Sequence, residues 1–245
     1  MHRFYLPGVD FKKSETTLTD PKEIHHAKDV LRLKRDDTIH FFNNQNQEAV
    51  GIIVDINARG IKIHIKNVYE GKVTFPQFIL ACAIPKKSKF EMIIEKATEL
   101  GVHEIMPLKT ARTEIKMSAD LIKRKSSRFE TVAINAAKQC KRASIPHIYP
   151  ITDFKAAVDW LKTNSIGIIP SLSGSPQPLR ETLSALAEPK RVSFFIGPEG
   201  DFTPQEYAYA QKEGLLPVTL GETVLKVETA AISVLAFSRL YLIKV

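Results

Sequence analysis

The sequence predicts an α/β protein in two parts: a small β-rich domain over residues 1–70, then a parallel sheet with crossover helices over residues 76–245. Three observations carry that reading. Residues 38–66 hold short β-branched or alternating runs separated by turns bearing Asn and Gly. From Phe78 onward, apolar strand-length runs alternate with helical patterns, the texture of βαβ units. Between the two lies Glu70-Gly-Lys-Val-Thr-Phe-Pro76, a plausible linker.

In the first part, Asp20-Pro-Lys-Glu23 opens a helix, with Asp20 as cap, Pro21 first and Glu23 closing a capping box. Thr38–Asn43, Ala49–Ile56 and Gly60–Lys66 are strands. Ile61, Ile63 and Ile65 alternate with Lys62, His64 and Lys66, so one face is buried and one is wet. A helix with about five short strands makes a small barrel.

In the second part, Phe78–Ile84 is an apolar strand. Ser88 and Glu91 form a capping box ahead of Phe90, Ile93, Ile94, Ala97 and Leu100 at helical spacing, and Gly101 stops that helix. Glu104–Leu108 is the next strand. A long helix over about Ala119–Gln139 has Phe129, Val132, Ala133, Ala136, Ala137 and Cys140 on one stripe and Lys123, Arg124, Lys125 and Arg128 on the other. Ile166–Pro170, Val192–Ile196 and Leu215–Leu220 are three further strands, each followed by a polar or glycine-bearing loop. The last helix, Thr229 to Leu242, is apolar over most of its girth and must be covered on two sides, by its own sheet and by the same helix of a second copy.

Composition narrows the function classes. No run approaches eighteen apolar residues, so no helix spans a membrane, and the N-terminus lacks the long apolar stretch of a secretory signal. The expected address is cytoplasmic. Cys82 and Cys140 stand without a C-x-x-C or a His cluster and read as buried thiols, so no metal is expected. The net charge of +8 is uneven. Residues 1–72 carry 12 Lys/Arg against 10 Asp/Glu, residues 86–147 carry 14 against 7, and residues 148–245 carry 9 against 10. A basic middle beside a near-neutral C-terminal part points to a polyanionic partner, with solvated helix faces as the alternative.

The chemistry is expected in Val192-Ser-Phe-Phe-Ile-Gly-Pro-Glu-Gly-Asp-Phe-Thr-Pro-Gln-Glu206. It reads as strand, glycine loop and helix, with Thr203, Pro204 and Glu206 forming the helix start. Ligands sit at the carboxyl ends of strands in open α/β sheets, in loops of this kind. The glycine spacing is neither a dinucleotide fingerprint nor a P-loop, and alone the loop reads equally as an ordinary βα turn. A second stretch, Leu220-Gly-Glu-Thr-Val-Leu-Lys-Val-Glu-Thr-Ala230, follows the next strand.

Together these two stretches resemble the 16S ribosomal RNA uracil-N3 methyltransferases, S-adenosylmethionine-dependent enzymes whose catalytic domain carries a trefoil knot. The resemblance extends over nearly the whole chain, through His26–Asp37, Pro85–Pro107 and Asn135–Arg142. It implies a PUA-like RNA-binding N-terminal domain, a C-terminal knot and a homodimer. It implies that three loops converge on the cofactor: Pro170, Ser171 and Leu172; Ile196, Gly197, Pro198, Glu199 and Gly200; and Leu220, Gly221, Thr223, Val224 and Leu225. Arg32, Lys34, Arg35, Lys86, Lys87, Lys89, Arg112 and Lys226 are then candidates for contacts with the small-subunit RNA. Arg142, Glu199 and Glu228 are the candidates for catalysis, with helix-end, loop-turn and helix-cap roles as their respective alternatives.

Removal of the N3 proton needs an acceptor, and methyl transfer needs an in-line arrangement rather than a nucleophilic side chain. Four positions depart from the family pattern: Asp201 and Asp36 stand where glycine is usual, and Thr223 and Lys226 where arginines are. Aspartate tolerates left-handed backbone, so the loop at Asp201 is expected to survive. Another base, a ribose 2′-hydroxyl, or a non-catalytic RNA-binding role remain as alternatives.

Overall fold

The computed structural model describes residues 2–71, 74–86, 89–113, 119–172 and 174–243. Ser88 and Lys87 therefore lie outside the described residues, as does the side chain of Lys123. Two compact units result: residues 1–73 with 137–145, and residues 74–136 with 146–245.

The first unit contains β1 (Arg3–Tyr5), β2 (Glu15–Leu18), α1 (Pro21–His25), β3 (Thr38–Phe42), β4 (Gln47–Asn57) and β5 (Gly60–Glu70). A π turn, His26–Val30, continues α1. The strands form one sheet in the order β1-β3-β4-β5-β2, parallel only between β1 and β3. Among the described residues no pairing joins β1 to β2, so the expected barrel is a sheet left open between its edges. The alternation in β5 places Ile61, Ile63 and Ile65 in a core with Phe4, Ile24, Phe41 and Ile53, while Lys62 and Lys66 stay exposed.

Asp20 caps α1 by accepting from the Lys22 N–H at 2.8 Å, a contact of a type worth about 1 kcal/mol. Glu23 does not close the expected box. Both its oxygens accept from Lys138 Nζ, at 2.7 and 2.8 Å, and a partly buried, charge-assisted pair of this kind outcompetes a local backbone bond. Arg3 Nη2 donates to the Arg142 carbonyl at 2.8 Å and the Ile145 N–H donates to Asn44 Oδ1, so residues 137–145 are fastened to this unit at several points.

The second unit contains β6 (Gln77–Ala83), α2 (Lys89–Glu99), β7 (Glu104–Lys109), most of α3 (Ala119–Cys140), β8 (His147–Ile148), β9 (Thr152–Asp153) and α4 (Phe154–Leu161). It continues with β10 (Ile166–Pro170), β11 (Gln177–Pro178), α5 (Leu179–Ser184), β12 (Arg191–Ile196), α6 (Pro204–Lys212), β13 (Leu216–Thr219) and α7 (Val227–Leu242). The sheet order is β11-β13-β10-β12-β6-β7-β8, with β9 also on β7 and every pairing parallel. Helices α4 and α6 cover one face through Phe154, Leu161, Tyr207 and Ala210. On the sheet's other contacts, α7 packs against β12, β6, α2 and α5. Covered on both sides, β6 and β12 are almost continuously buried, which is why they read as unbroken apolar runs.

Candidate functional site

Strands β13, β10 and β12 are neighbours and parallel, with Pro170 in register with Val218 and Ile168 with Phe194. Their carboxyl ends therefore lie side by side, and the loops after Pro170, Ile196 and Thr219 leave from one edge of the sheet. They enclose a cavity of about 240 Å³. Pro170, Ser171 and Leu172 line it from the first loop, and Ile196, Gly197, Pro198 and Glu199 from the second. Leu220, Gly221, Thr223, Val224 and Leu225 line it from the third. Thr219, Asp201, Lys226, Val227 and Ala230 complete the wall. Leu172 is 62% and Val224 76% exposed, so two large apolar side chains at the cavity have no cover of their own.

Gly200 is not part of the lining. Its carbonyl accepts from Arg112 Nη1, which also reaches the Phe202 carbonyl at 3.5 Å. Arg112 thus braces the glycine loop from outside. The turn is held from within by Asp201, whose φ of 62° is the left-handed conformation expected of a glycine substitute there. Its Oδ1 accepts from the Phe202 N–H and from Tyr207 Oη, both at 2.8 Å. The same hydroxyl lies 2.9 Å from the Pro170 carbonyl and also bonds Ser171. Burial first, and then the bond to Asp201, push the Tyr207 phenol well above its ordinary range. Tyr207 therefore ties the first loop to the second while staying protonated.

The helix after this loop begins as its sequence predicts. Thr203 Oγ1 accepts from the Glu206 N–H at 3.2 Å, and Glu206 Oε2 accepts from the Thr203 N–H at 2.8 Å. The other oxygen, Oε1, accepts from the Ala111 N–H at 2.9 Å, joining the loop after β7 to α6. Neither that bond nor the Tyr207 bridge is signalled by local spacing, since both link residues brought together only by the sheet.

The candidate catalytic carboxylates are both anchored. Glu199 is exposed at the cavity, with Oε1 accepting from the Lys86 N–H at 2.9 Å. Glu228, in the first turn of α7, accepts from Lys89 Nζ at 2.7 Å. That bond holds its carboxyl below the usual range against the opposing effect of burial. Lys89, expected as a solvated cation for RNA, is thereby committed to Glu228. Lys226 is exposed at the start of α7. Arg142 lies in the other unit, where Nη2 donates to Ser144 Oγ at 3.3 Å, and it does not line the cavity. Arg32, Lys34 and Arg35 form an exposed basic cluster on the first unit, and Asp36 beside them has φ 73°.

Cys82 is buried, and burial raises its thiol far above the ordinary range; Cys140 is only partly buried, and both are free thiols. Among the described residues no cluster of His, Cys, Asp and Glu could hold a metal ion, and no helix is long and apolar enough to cross a membrane.

Comparison with known proteins agrees with this arrangement. The RNA methyltransferase domain family matches residues 73–239, and the RNA methyltransferase PUA domain family matches residues 18–66. Ribosomal RNA small subunit methyltransferase E of Mesomycoplasma hyopneumoniae is 32% identical over 235 residues, covering 96% of this chain and 97% of that protein. The Bacillus subtilis protein of the same name is 26% identical over 243 residues, 96% and 95% of the two chains. A methyltransferase from Legionella pneumophila, solved with bound S-adenosylmethionine, superposes with a TM-score of 0.86 at 29% identity over 97% of this chain and 96% of that one. With a domain match over most of its length and relatives collinear from end to end, the chain belongs to the RNA methyltransferase family that includes ribosomal RNA small subunit methyltransferase E.

Proposed function

We propose that this protein methylates N3 of a uridine in the 16S RNA of the small ribosomal subunit, in the cytoplasm, with S-adenosylmethionine held at the three loop ends. The observation that carries the reading is the convergence of those loops on one cavity at the carboxyl edge of a parallel sheet. The residues present suit such a cofactor. Ile196, Leu220, Leu225 and Val227 offer apolar wall for a purine and a thioether chain, loop backbone offers donors and acceptors, and the Glu199 carboxylate suits a cationic sulfonium. Bound there, the cofactor supplies an electrophilic methyl group.

The remaining work is positioning and proton handling. We assign proton acceptance from N3 to Glu199, an exposed carboxylate at the cavity whose orientation is fixed by the Lys86 N–H. Glu228 is set aside as the base because its ion pair with Lys89 lowers its affinity for a proton. Arg142, Arg32, Lys34, Arg35, Lys86 and Lys226 are assigned to the RNA, and Arg112 to the loop. The threading belongs to the same reading. β13 lies beyond β10 from β12, yet α7 packs back onto β12 and β6, so the chain between Thr219 and Val227 makes a return crossing of the sheet. We read that crossing as the trefoil knot, and the outer face of α7 as a homodimer contact.

The test uses small subunits that lack the modification, labelled cofactor and digestion to nucleosides. The expected product is 3-methyluridine; a ribose-methylated nucleoside or another methylated base would overturn the assignment. Glu199→Gln keeps an acceptor for Lys86 but removes the base. Its rate should fall about 100- to 10,000-fold with cofactor affinity changed only a few-fold. An undiminished rate would remove Glu199 from the mechanism.

A further inference from the structure

A second concavity, of about 220 Å³, lies between α2 and α3. Its floor is Phe90 and Phe129, 2% and 4% exposed, with ring centroids 4.9 Å apart. Its rim is Arg124, Lys125 and Arg128, opposed by one carboxylate, Glu91. Arg128 is already committed: Nε and Nη2 each donate to a different Glu91 oxygen at 2.9 Å. That fork holds the Glu91 carboxyl below the usual range. Arg124 and Lys125 make no ion pair with a described carboxylate, so of the three cations around the apolar floor only Arg128 is paired among the described residues.

The position of this cleft gives it a use. Pro85 lines it, and the N–H of the next residue, Lys86, is the donor that fixes Glu199 in the first cavity. The two concavities are thus linked through the Pro85–Lys86 peptide and the Glu199 side chain at the edge of the sheet where β6 and β12 run side by side to Cys82 and Ile196. We propose that the cleft is a phosphate subsite that holds the backbone of a nucleotide flanking the methylated uridine, an inference that rests on the methyltransferase reading above. The phenylalanines are too deeply buried to stack on a base, so the cleft recognises charge rather than sequence and sets the register of the strand. Arg124 and Lys125 supply the phosphate contacts, and Glu91 keeps Arg128 out of them.

The test measures binding of a fluorescein-labelled oligouridylate by anisotropy across a potassium chloride series, with cofactor affinity followed by calorimetry. The double variant Arg124→Ala, Lys125→Ala should bind RNA more weakly. Its log–log salt dependence should be shallower by about 0.7 for each phosphate that is no longer neutralised. Its affinity for S-adenosylmethionine should match that of the unsubstituted protein. Glu91→Gln should do the reverse, tightening RNA binding and steepening the slope by releasing Arg128, an effect that damage to folding would not produce. Unchanged RNA affinity and slope in both variants, with cofactor binding intact, would overturn the cleft and leave the methyltransferase reading standing. Failure of the unsubstituted protein to bind S-adenosylmethionine would overturn both.

Discussion

Asp201 shows how a single substitution can be absorbed. A glycine is usual at this position in the resembled family, and the chain supplies instead a residue that accepts φ 62° and uses its carboxylate twice, on Phe202 N–H and on Tyr207. Tyr207→Phe tests that bridge. The ring would keep its edge contact with Phe202, while the Pro170 carbonyl and Asp201 would lose the hydroxyl that lies between them. Stability should fall by about 1 kcal/mol. Cofactor affinity should fall further, because the first two loops are no longer tied; calorimetry showing unchanged affinity would mean the bridge is only structural. The left-handed positions at Asp36 and Asp201 were legible in the sequence because a glycine pattern and its tolerated substitute carry a backbone meaning. The bridge was not, since nothing in a linear string places a helix tyrosine beneath another strand's loop. A Cβ at Gly197 would crowd Asp201 Oδ1 at 3.1 Å and Phe202 N at 3.2 Å, so Gly197→Val would deform the turn rather than fill the cavity.

At the scale of elements, α7 is joined to α2 by the Glu228–Lys89 pair. Because the Glu228 pKa is depressed in the folded chain, its contribution is fully present above the unfolded value of 4.5 and is lost as pH falls through the lower folded value. The pair is partly exposed, so its worth is about 1 kcal/mol or less. Glu228→Gln should therefore lower stability at neutral pH, and the difference from the unsubstituted protein should close in the acid range below 4.5. A difference that persists there, by urea denaturation, would assign the effect to packing. The long strands β6, β7, β10 and β12 were readable because strands covered on both faces are apolar throughout. Strands β8, β9 and β11 have two residues each and carry no period to read. Helix α4 had a usable signal, Asp153 as cap with Phe154, Ala157, Val158 and Leu161 on one face, which the strand-and-loop reading passes over.

At the scale of the whole molecule, α7 has one face buried within the chain and another left exposed. Ala231, Val234 and Leu235 are buried within a single chain, so Leu235→Glu would break the core itself rather than report on assembly. The face left over is Phe237, Leu240 and Tyr241, at 39%, 83% and 41% exposure, with the two rings stacked at 5.7 Å. An apolar helix face of this kind fits self-association about a two-fold axis, in which the same residues meet their own copies. Leu240→Glu discriminates, because the glutamate costs a lone chain little and would be stripped of water in the dimer. A penalty of about 3 kcal/mol corresponds to roughly a hundredfold weaker association. Circular dichroism should be unchanged while light scattering moves from dimer to monomer at micromolar concentration. Because Val227 and Ala230, in the first turns of the same helix, line the cavity proposed for the cofactor, affinity for S-adenosylmethionine should fall together with assembly. A monomeric unsubstituted protein, or a Leu240→Glu variant that assembles as well as its parent, would exclude α7 as the contact.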